Sequence, residues 1–414
     1  MAGARPSDTD AGSDPIATFY DRHPYPPPVD DLDALASSAP AGGVDRAGHH
    51  LVWPERRPES IGSILVAGCG TAQAARHALR NPGAAVVGID VSATSIERTE
   101  RLIARHRIAN LTVHRLPIEQ VGELDRRFDH IVCTGVLHHL ADPDAGLRAL
   151  RDVLAPGGAV TLMVYARYGR FGVEMIQDYA RRLGVTTEPS EIADLVATLR
   201  ELPTGHPISR LLRETRDFLD DDALADALLN PRERSYDVPE LFDLVEGAGL
   251  RFGRWSQQAP YRSDCGSLSE TPHTSRIAAL PEASGFAAME LARGTIDRHT
   301  AILFDADDHE SGIVDWHLPT ALVPIVIPTA IAVDDPSRLP TGIAAALLNR
   351  AHPASDLVLF VTAPELRLFR SVDGDRTIAG LADLAGQDVD VVSFVRRLWR
   401  HDLVVIDATG AGRP

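Results

Sequence analysis

A doubly wound α/β sheet is the fold class that this 414-residue sequence predicts. Three observations predict it. Short apolar runs alternate with helical stretches between Ser63 and Val164, the rhythm of βαβ units. The stretch Ser63 to Ser92 reads as strand, glycine turn, helix, strand and acid in one unit. Its first strand, Ile64 to Ala67, runs directly into Gly68-Cys69-Gly70, a turn whose missing side chains let the backbone approach a ligand.

In chain order, Met1 to Asp14 is rich in Ser, Asp, Gly and Pro and reads as a disordered tail, bounded at about residue 15. Ile16 to Tyr20 starts a short helix, and the proline-rich run Asp21 to Pro28 must be extended. After the glycine turn, Ala74, Ala75, Ala78 and Leu79 mark a helix that Asn81-Pro82-Gly83 stops. Ala84 to Ile89 is the second strand and ends on Asp90. A helix follows from Ser92 or Ala93 to His106, with Ile96, Leu102 and Ile103 inward. Leu111 to His114 and Phe128 to Cys133 are strands three and four. A helix over Asp144 to Leu154 and the Pro156-Gly157-Gly158 turn lead to strand five, Ala159 to Val164. The connection that follows, about 166–236, is too long for a plain crossover. It holds helical stretches at Gly172–Leu183, Ser190–Leu202 and Pro207–Asp217, a helical insertion beside the strand ends. Val238 to Ala248 is a helix, Leu250 to Trp255 strand six, and His299 to Phe304 a further strand.

The ligand at the turn carries a ribose, because an acid such as Asp90 at the end of the second strand accepts ribose hydroxyls. A dinucleotide fingerprint fails at Gln73, where a third small residue is required. The chain has no lysine, hence no P-loop lysine. S-adenosylmethionine (SAM) is the remaining candidate. Val66 to Ala72, Asp90 and the block Phe128 to Gly158 resemble the motifs of the class I SAM-dependent methyltransferases, with a Rossmann-like seven-stranded sheet. The resemblance covers about Phe19 to Asp305. Val66 stands where the family often has an acid, and Ala72 where it often has a third glycine. The resemblance implies SAM contacts from Gly68, Cys69, Gly70, Thr71, Asp90 and Val91, adenine near Ile118, and the methionine end near Thr134 and Gly135. It implies a seventh strand, His299–Phe304, antiparallel beside strand six. It also implies an N-terminal segment over the cofactor, with Tyr20 and Tyr25 as lid residues and the Tyr20 hydroxyl offered to the methionine carboxylate. A surface strap is the other reading of that segment.

Residues 16–305 are thus expected to form the SAM-binding domain, and 306–414 a small α+β C-terminal module. In the module, Leu357–Val361, Leu366–Arg370 and Leu403–Ile406 read as strands, and Ile378–Leu384 and Val389–Arg400 as helices, an order compatible with a winged helix. The last helix sets Arg396, Arg397 and Arg400 off an apolar face. Yet the segment after Asp305 has nine arginines against fifteen acids, and the whole chain carries a net charge of -17. That balance argues against a nucleic-acid footprint. Cys69, Cys133 and Cys265 are too scattered for a disulfide framework or a metal cluster. Leu318 to Val333, the longest apolar stretch, is too short to span a membrane and holds three prolines, so a cytoplasmic location is expected.

Methyl transfer from SAM needs alignment first, and a base if the acceptor is a hydroxyl. His138, His139 and His23 are the candidate bases, with loop bracing as their structural alternative; Cys69 reads as a small buried residue. The expected function is methyl transfer to a small-molecule acceptor. A methyltransferase on RNA or protein, with the C-terminal module as reader, and a non-catalytic SAM-binding protein are the alternatives.

Overall fold

The structure is a computed structural model and describes residues 14–33, 45–214, 221–385 and 389–410. Most of the N-terminal tail and the end of the expected helix Pro207–Asp217 lie outside these residues. Seven strands share one sheet: β1 Ser63–Ala67, β2 Ala85–Asp90, β3 Leu111–Arg115, β4 Phe128–Thr134, β5 Leu154–Tyr165, β6 Leu250–Trp255 and β7 Arg298–Asp305. Their order is β3-β2-β1-β4-β5-β7-β6. The first five run parallel, and β7 runs antiparallel between β5 and β6. The order reverses between β1 and β4, and in an open α/β sheet that switch point is where a crevice forms at the carboxyl ends of the strands.

The central strand shows why the apolar run is continuous. Leu65 and Ala67 enter one core cluster, while Ile64 and Val66 enter another. Helices cover both faces, so the period-2 alternation buries every residue and hides itself in the sequence. The insertion builds a core of its own from Val173, Ile176, Ile192, Leu195, Leu224 and Leu228, and Phe19 of the N-terminal helix Pro15–Arg22 joins it. Its last helix, Asp221–Leu229, was not anticipated from sequence. The N-terminal helix begins at Pro15, with Asp14 capping it by accepting from the Ile16 N–H at 3.1 Å.

After Asp305 the chain forms β8 Val323–Val326, β9 Ala330–Val333, β10 Ala345–Asn349, β11 Val358–Val361 and β12 Val404–Asp407. These make a three-stranded sheet, β11-β10-β9, and the pair β12-β8. Leu366–Arg370 is not a strand: it ends the helix Ala363–Arg370. Thr362 and Glu365 form a capping box around Pro364, a helix-start signal that outweighs the local strand propensity. The helix Val391–Arg400 buries Val391, Phe394, Val395 and Leu398. Its arginines serve the protein itself: Arg397 pairs with Glu365 at 2.7 Å, Arg400 with Asp264 at 2.8 Å, and Arg396 lies over the Trp316 ring. Among the described residues, no helix is long and apolar enough to cross a membrane.

The C-terminal unit is joined to the large sheet through buried polar bonds. Asp402, 1% exposed, accepts from the Ala259 N–H at 2.9 Å and faces Arg254 at 3.5 Å and His352 at 3.1 Å. Burial lowers the Arg254 pKa, against the pull of Asp402. Replacing Asp402 by Ala leaves Arg254 buried without its counter-ion. It should destabilise the protein by about 3–5 kcal/mol in chemical or thermal unfolding; a loss below 1 kcal/mol would mean that water reaches Arg254 freely.

Candidate active site

The site starts where β1 ends. Gly68 has φ +70° and Gly70 φ +54°. A Cβ on Gly68 would lie 2.3 Å from Val136 Cγ2, and one on Gly70 would lie 2.9 Å from the Tyr25 carbonyl oxygen. Glycine is therefore required by conformation and by space at both positions. Asp90 at the end of β2 ties the turn down: Oδ2 accepts from the Gly70 N–H at 2.8 Å, and Oδ1 from the Ser92 N–H at 2.9 Å. Burial raises its carboxyl pKa, and these N–H bonds work in the opposite direction. Each oxygen retains acceptor capacity for a ligand.

A cavity of about 560 Å³ opens at this turn. Of the residues expected from sequence, Gly68, Gly70, Asp90, Val91, Ile118, Thr134, Gly135, Tyr20 and His139 line it, as does Tyr25. Cys69, Thr71 and His138 do not. Cys69 is fully buried beside Gly88, and burial raises its thiol pKa well above the ordinary range. The Thr71 hydroxyl donates to the Pro26 carbonyl at 2.8 Å and so fastens the proline-rich segment to the turn. His138 is 1% exposed and packs between His139 and Tyr165, with ring centroids 4.2 and 4.1 Å away. Burial, then His139 and Arg170, holds its pKa far below the usual value, so its ring is neutral and structural. His23 is also off the cavity wall; its Nδ1 pairs with Asp222 at 2.9 Å.

His139 is placed differently. Its Nδ1 lies 2.7 Å from the Arg232 carbonyl oxygen. A carbonyl can only accept, so Nδ1 carries a proton, and in the neutral ring the lone pair is on Nε2. Nε2 is buried and has no hydrogen-bond partner among the described residues.

The N-terminal helix and the insertion close the far side of the cavity. Asp21 accepts from the Ser92 hydroxyl at 2.7 Å and the Thr94 N–H at 3.2 Å, which anchors the helix over β2. The Tyr20 hydroxyl donates to Asp226 Oδ1 at 2.8 Å. It is therefore engaged by a protein carboxylate, in place of the methionine carboxylate expected from the family resemblance. Burial, then Asp226, raises its pKa well above the ordinary value. Sequence reasoning missed Gln73, Tyr165, Arg170 and Asp226, all on the cavity wall. Gln73, noticed only for breaking a dinucleotide pattern, donates to the Thr134 hydroxyl at 2.7 Å. Asp226 did leave a signal: it is an acid between Ala225 and Ala227 on an otherwise apolar helical run.

Residues 65–160 match the family model described as a methyltransferase domain. That stretch carries a methyltransferase domain. The whole chain is also similar to PKMT2 from Rickettsia typhi, with TM-score 0.63 at 15% identity, covering 87% of this chain and 74% of that one. That likeness, also seen with the same protein in complex with AdoHcy at TM-score 0.62, is one of fold. An uncharacterized protein of Synechococcus is 33% identical over 269 residues, 62% of this chain and 63% of the relative. A ubiquinone biosynthesis O-methyltransferase of Neisseria meningitidis is 30% identical over 98 residues, 23% of this chain and 41% of that relative. The chain thus spans under two thirds of the length of either curated relative.

The hold on the N-terminal helix beside the cavity can be tested without any substrate. Tyr20→Phe removes the O–H bond to Asp226. It should loosen the helix Pro15–Arg22 by about 1.5–3 kcal/mol, read as faster amide hydrogen exchange in that helix. Unchanged exchange would show that Phe19 and its apolar neighbours hold the segment unaided.

Proposed function

We propose that this protein is a SAM-dependent methyltransferase acting on a small-molecule acceptor, with His139 as the base. The observation that carries the reading is one cavity whose wall holds both the ribose-type acid Asp90 and the imidazole of His139. The residues present fit SAM. Asp90 has spare acceptor capacity for the ribose hydroxyls, Leu116, Pro117 and Ile118 give adenine an apolar wall, and Gly135 at φ +77° leaves backbone open beside Thr134 for the methionine end. When bound, SAM supplies an electrophilic methyl group.

The chain's own work is to bind, to exclude water and to handle one proton. The helix Pro15–Arg22 and the helix Asp221–Leu229 roof the cavity, which favours a small acceptor over a macromolecular one. His139 Nε2 is the site to which the acceptor's proton moves as its nucleophilic atom is engaged. The Arg232 carbonyl selects the tautomer with the proton on Nδ1, which in the neutral ring puts the lone pair on Nε2. The relatives named as O-methyltransferases support oxygen as the accepting atom.

Calorimetric titration tests the cofactor half. SAM and its demethylated product should bind and NAD should not, and Asp90→Ala should weaken SAM by about 1.5–3 kcal/mol. Tight NAD binding without a SAM signal overturns the reading. For the catalytic half, His139→Gln should cut turnover by about 10²–10⁴-fold while leaving the affinity for the demethylated product unchanged. Full turnover in that variant would remove His139 from the mechanism.

A further inference from the structure

The wall of the cavity holds a buried acid, Asp226, that makes no salt bridge among the described residues. Asp226 is 3% exposed. Its Oδ1 accepts from the Tyr20 hydroxyl at 2.8 Å and from Asn230 Nδ2 at 3.1 Å, both neutral donors. Its Oδ2 makes no hydrogen bond to any described residue, and Asp226 is part of the cavity wall. Three of the arginines along the same wall, Arg170, Arg232 and Arg298, face other acids. Arg170 lies 2.9 Å from Glu233, which Gln177 also holds, and its guanidinium is stacked 3.5 Å from the Tyr165 ring centroid. Arg232 faces Asp14 at 3.5 Å, and Arg298 faces Asp297 at 3.5 Å.

A carboxylate held out of water without a salt bridge is costly, and the cost falls when a cation arrives beside it. Burial accordingly raises the Asp226 carboxyl pKa, although His139, Tyr20 and Asn230 pull it down. An enzyme gains specificity from such a site, because a ligand without the matching charge leaves the acid unpaired.

We infer that the acceptor carries a positively charged amine, and that Asp226 Oδ2 is its recognition site. The inference rests on the acceptor site proposed above and names the class of molecule that fills it. The Tyr20 ring links the two ends of this half-site. Its hydroxyl is on Asp226, and its ring centroid lies 6.1 Å from that of His139. A small amine held at Asp226 thereby has its reactive part directed towards the His139 side. Asp226 acts by binding the acceptor; the proton at the accepting atom belongs to His139.

The test uses the full-length protein saturated with S-adenosylhomocysteine. Tyramine, tryptamine, glucosamine and n-pentylamine are each titrated beside their N-acetyl counterparts, which keep the shape and lose the charge. At least one amine should bind ten-fold or more tightly than its acetylated partner, and Asp226→Asn should abolish that preference while S-adenosylhomocysteine affinity stays unchanged. If no amine outbinds its partner, or if the preference survives in Asp226→Asn, the assignment is wrong. The comparison within the unmodified protein stands even if the variant folds poorly. Failure of S-adenosylhomocysteine to bind at all would instead strike at the methyltransferase reading.

Discussion

The site depends on one backbone constraint, the left-handed turn from Gly68 to Gly70 at the end of β1. With no side chain at Gly70, the Tyr25 carbonyl can rest against the turn, and with none at Gly68, Val136 can close in from the β4 side. The turn also aims the Gly70 N–H at Asp90, so one interaction fixes both the acid and the floor of the cavity. Thr71 then ties the Pro26 carbonyl down, and the N-terminal helix can only cross the strand ends from there. A β-carbon at either glycine would displace the floor, the strap and the roof together.

The roof is fastened by polar bonds, and this sets what the cavity can do. The bond of Tyr20 to Asp226 joins the N-terminal helix to the last helix of the insertion across the space that an acceptor must enter. Phe19 buries into the insertion core beside it, so the helix is held by apolar packing as well as by the bond. A roof weakens the screening of charges beneath it. His139 and Asp226 are both buried there; His139 Nε2 has no hydrogen-bond partner and Asp226 no salt bridge among the described residues.

Most of the large sheet was legible from sequence because parallel strands buried on both faces leave short, dense apolar runs with sharp stops. The antiparallel seventh strand was legible only through family resemblance; its apolar run alone does not give its direction. What failed has physical reasons. Leu366–Arg370 has apolar spacing that suits either state, and the decision lies upstream in the Thr362–Glu365 box. The helix Asp221–Leu229 is so short and alanine-rich that its strongest signal was the misplaced acid Asp226. The cofactor end of the site was readable because its residues sit at fixed offsets from strands. The acceptor end was not, because Tyr20, His139, Tyr165, Arg170 and Asp226 come together from widely separated parts of the chain.

The same reasoning separates two histidines that sequence could not. His138 and His139 are neighbours, and both are nearly inaccessible to solvent. What differs is the surroundings of each ring. His138 is stacked against Tyr165, off the cavity wall, and neither of its nitrogens has a hydrogen-bond partner among the described residues. It can fill space and steady the Tyr165 ring, over which the Arg170 guanidinium also lies. His139 reaches the cavity wall and has one nitrogen pinned by a carbonyl, which fixes its tautomer before any ligand arrives. A base works best when its ring is already oriented, so on the proposed reading the carbonyl of Arg232 supports the imidazole it holds.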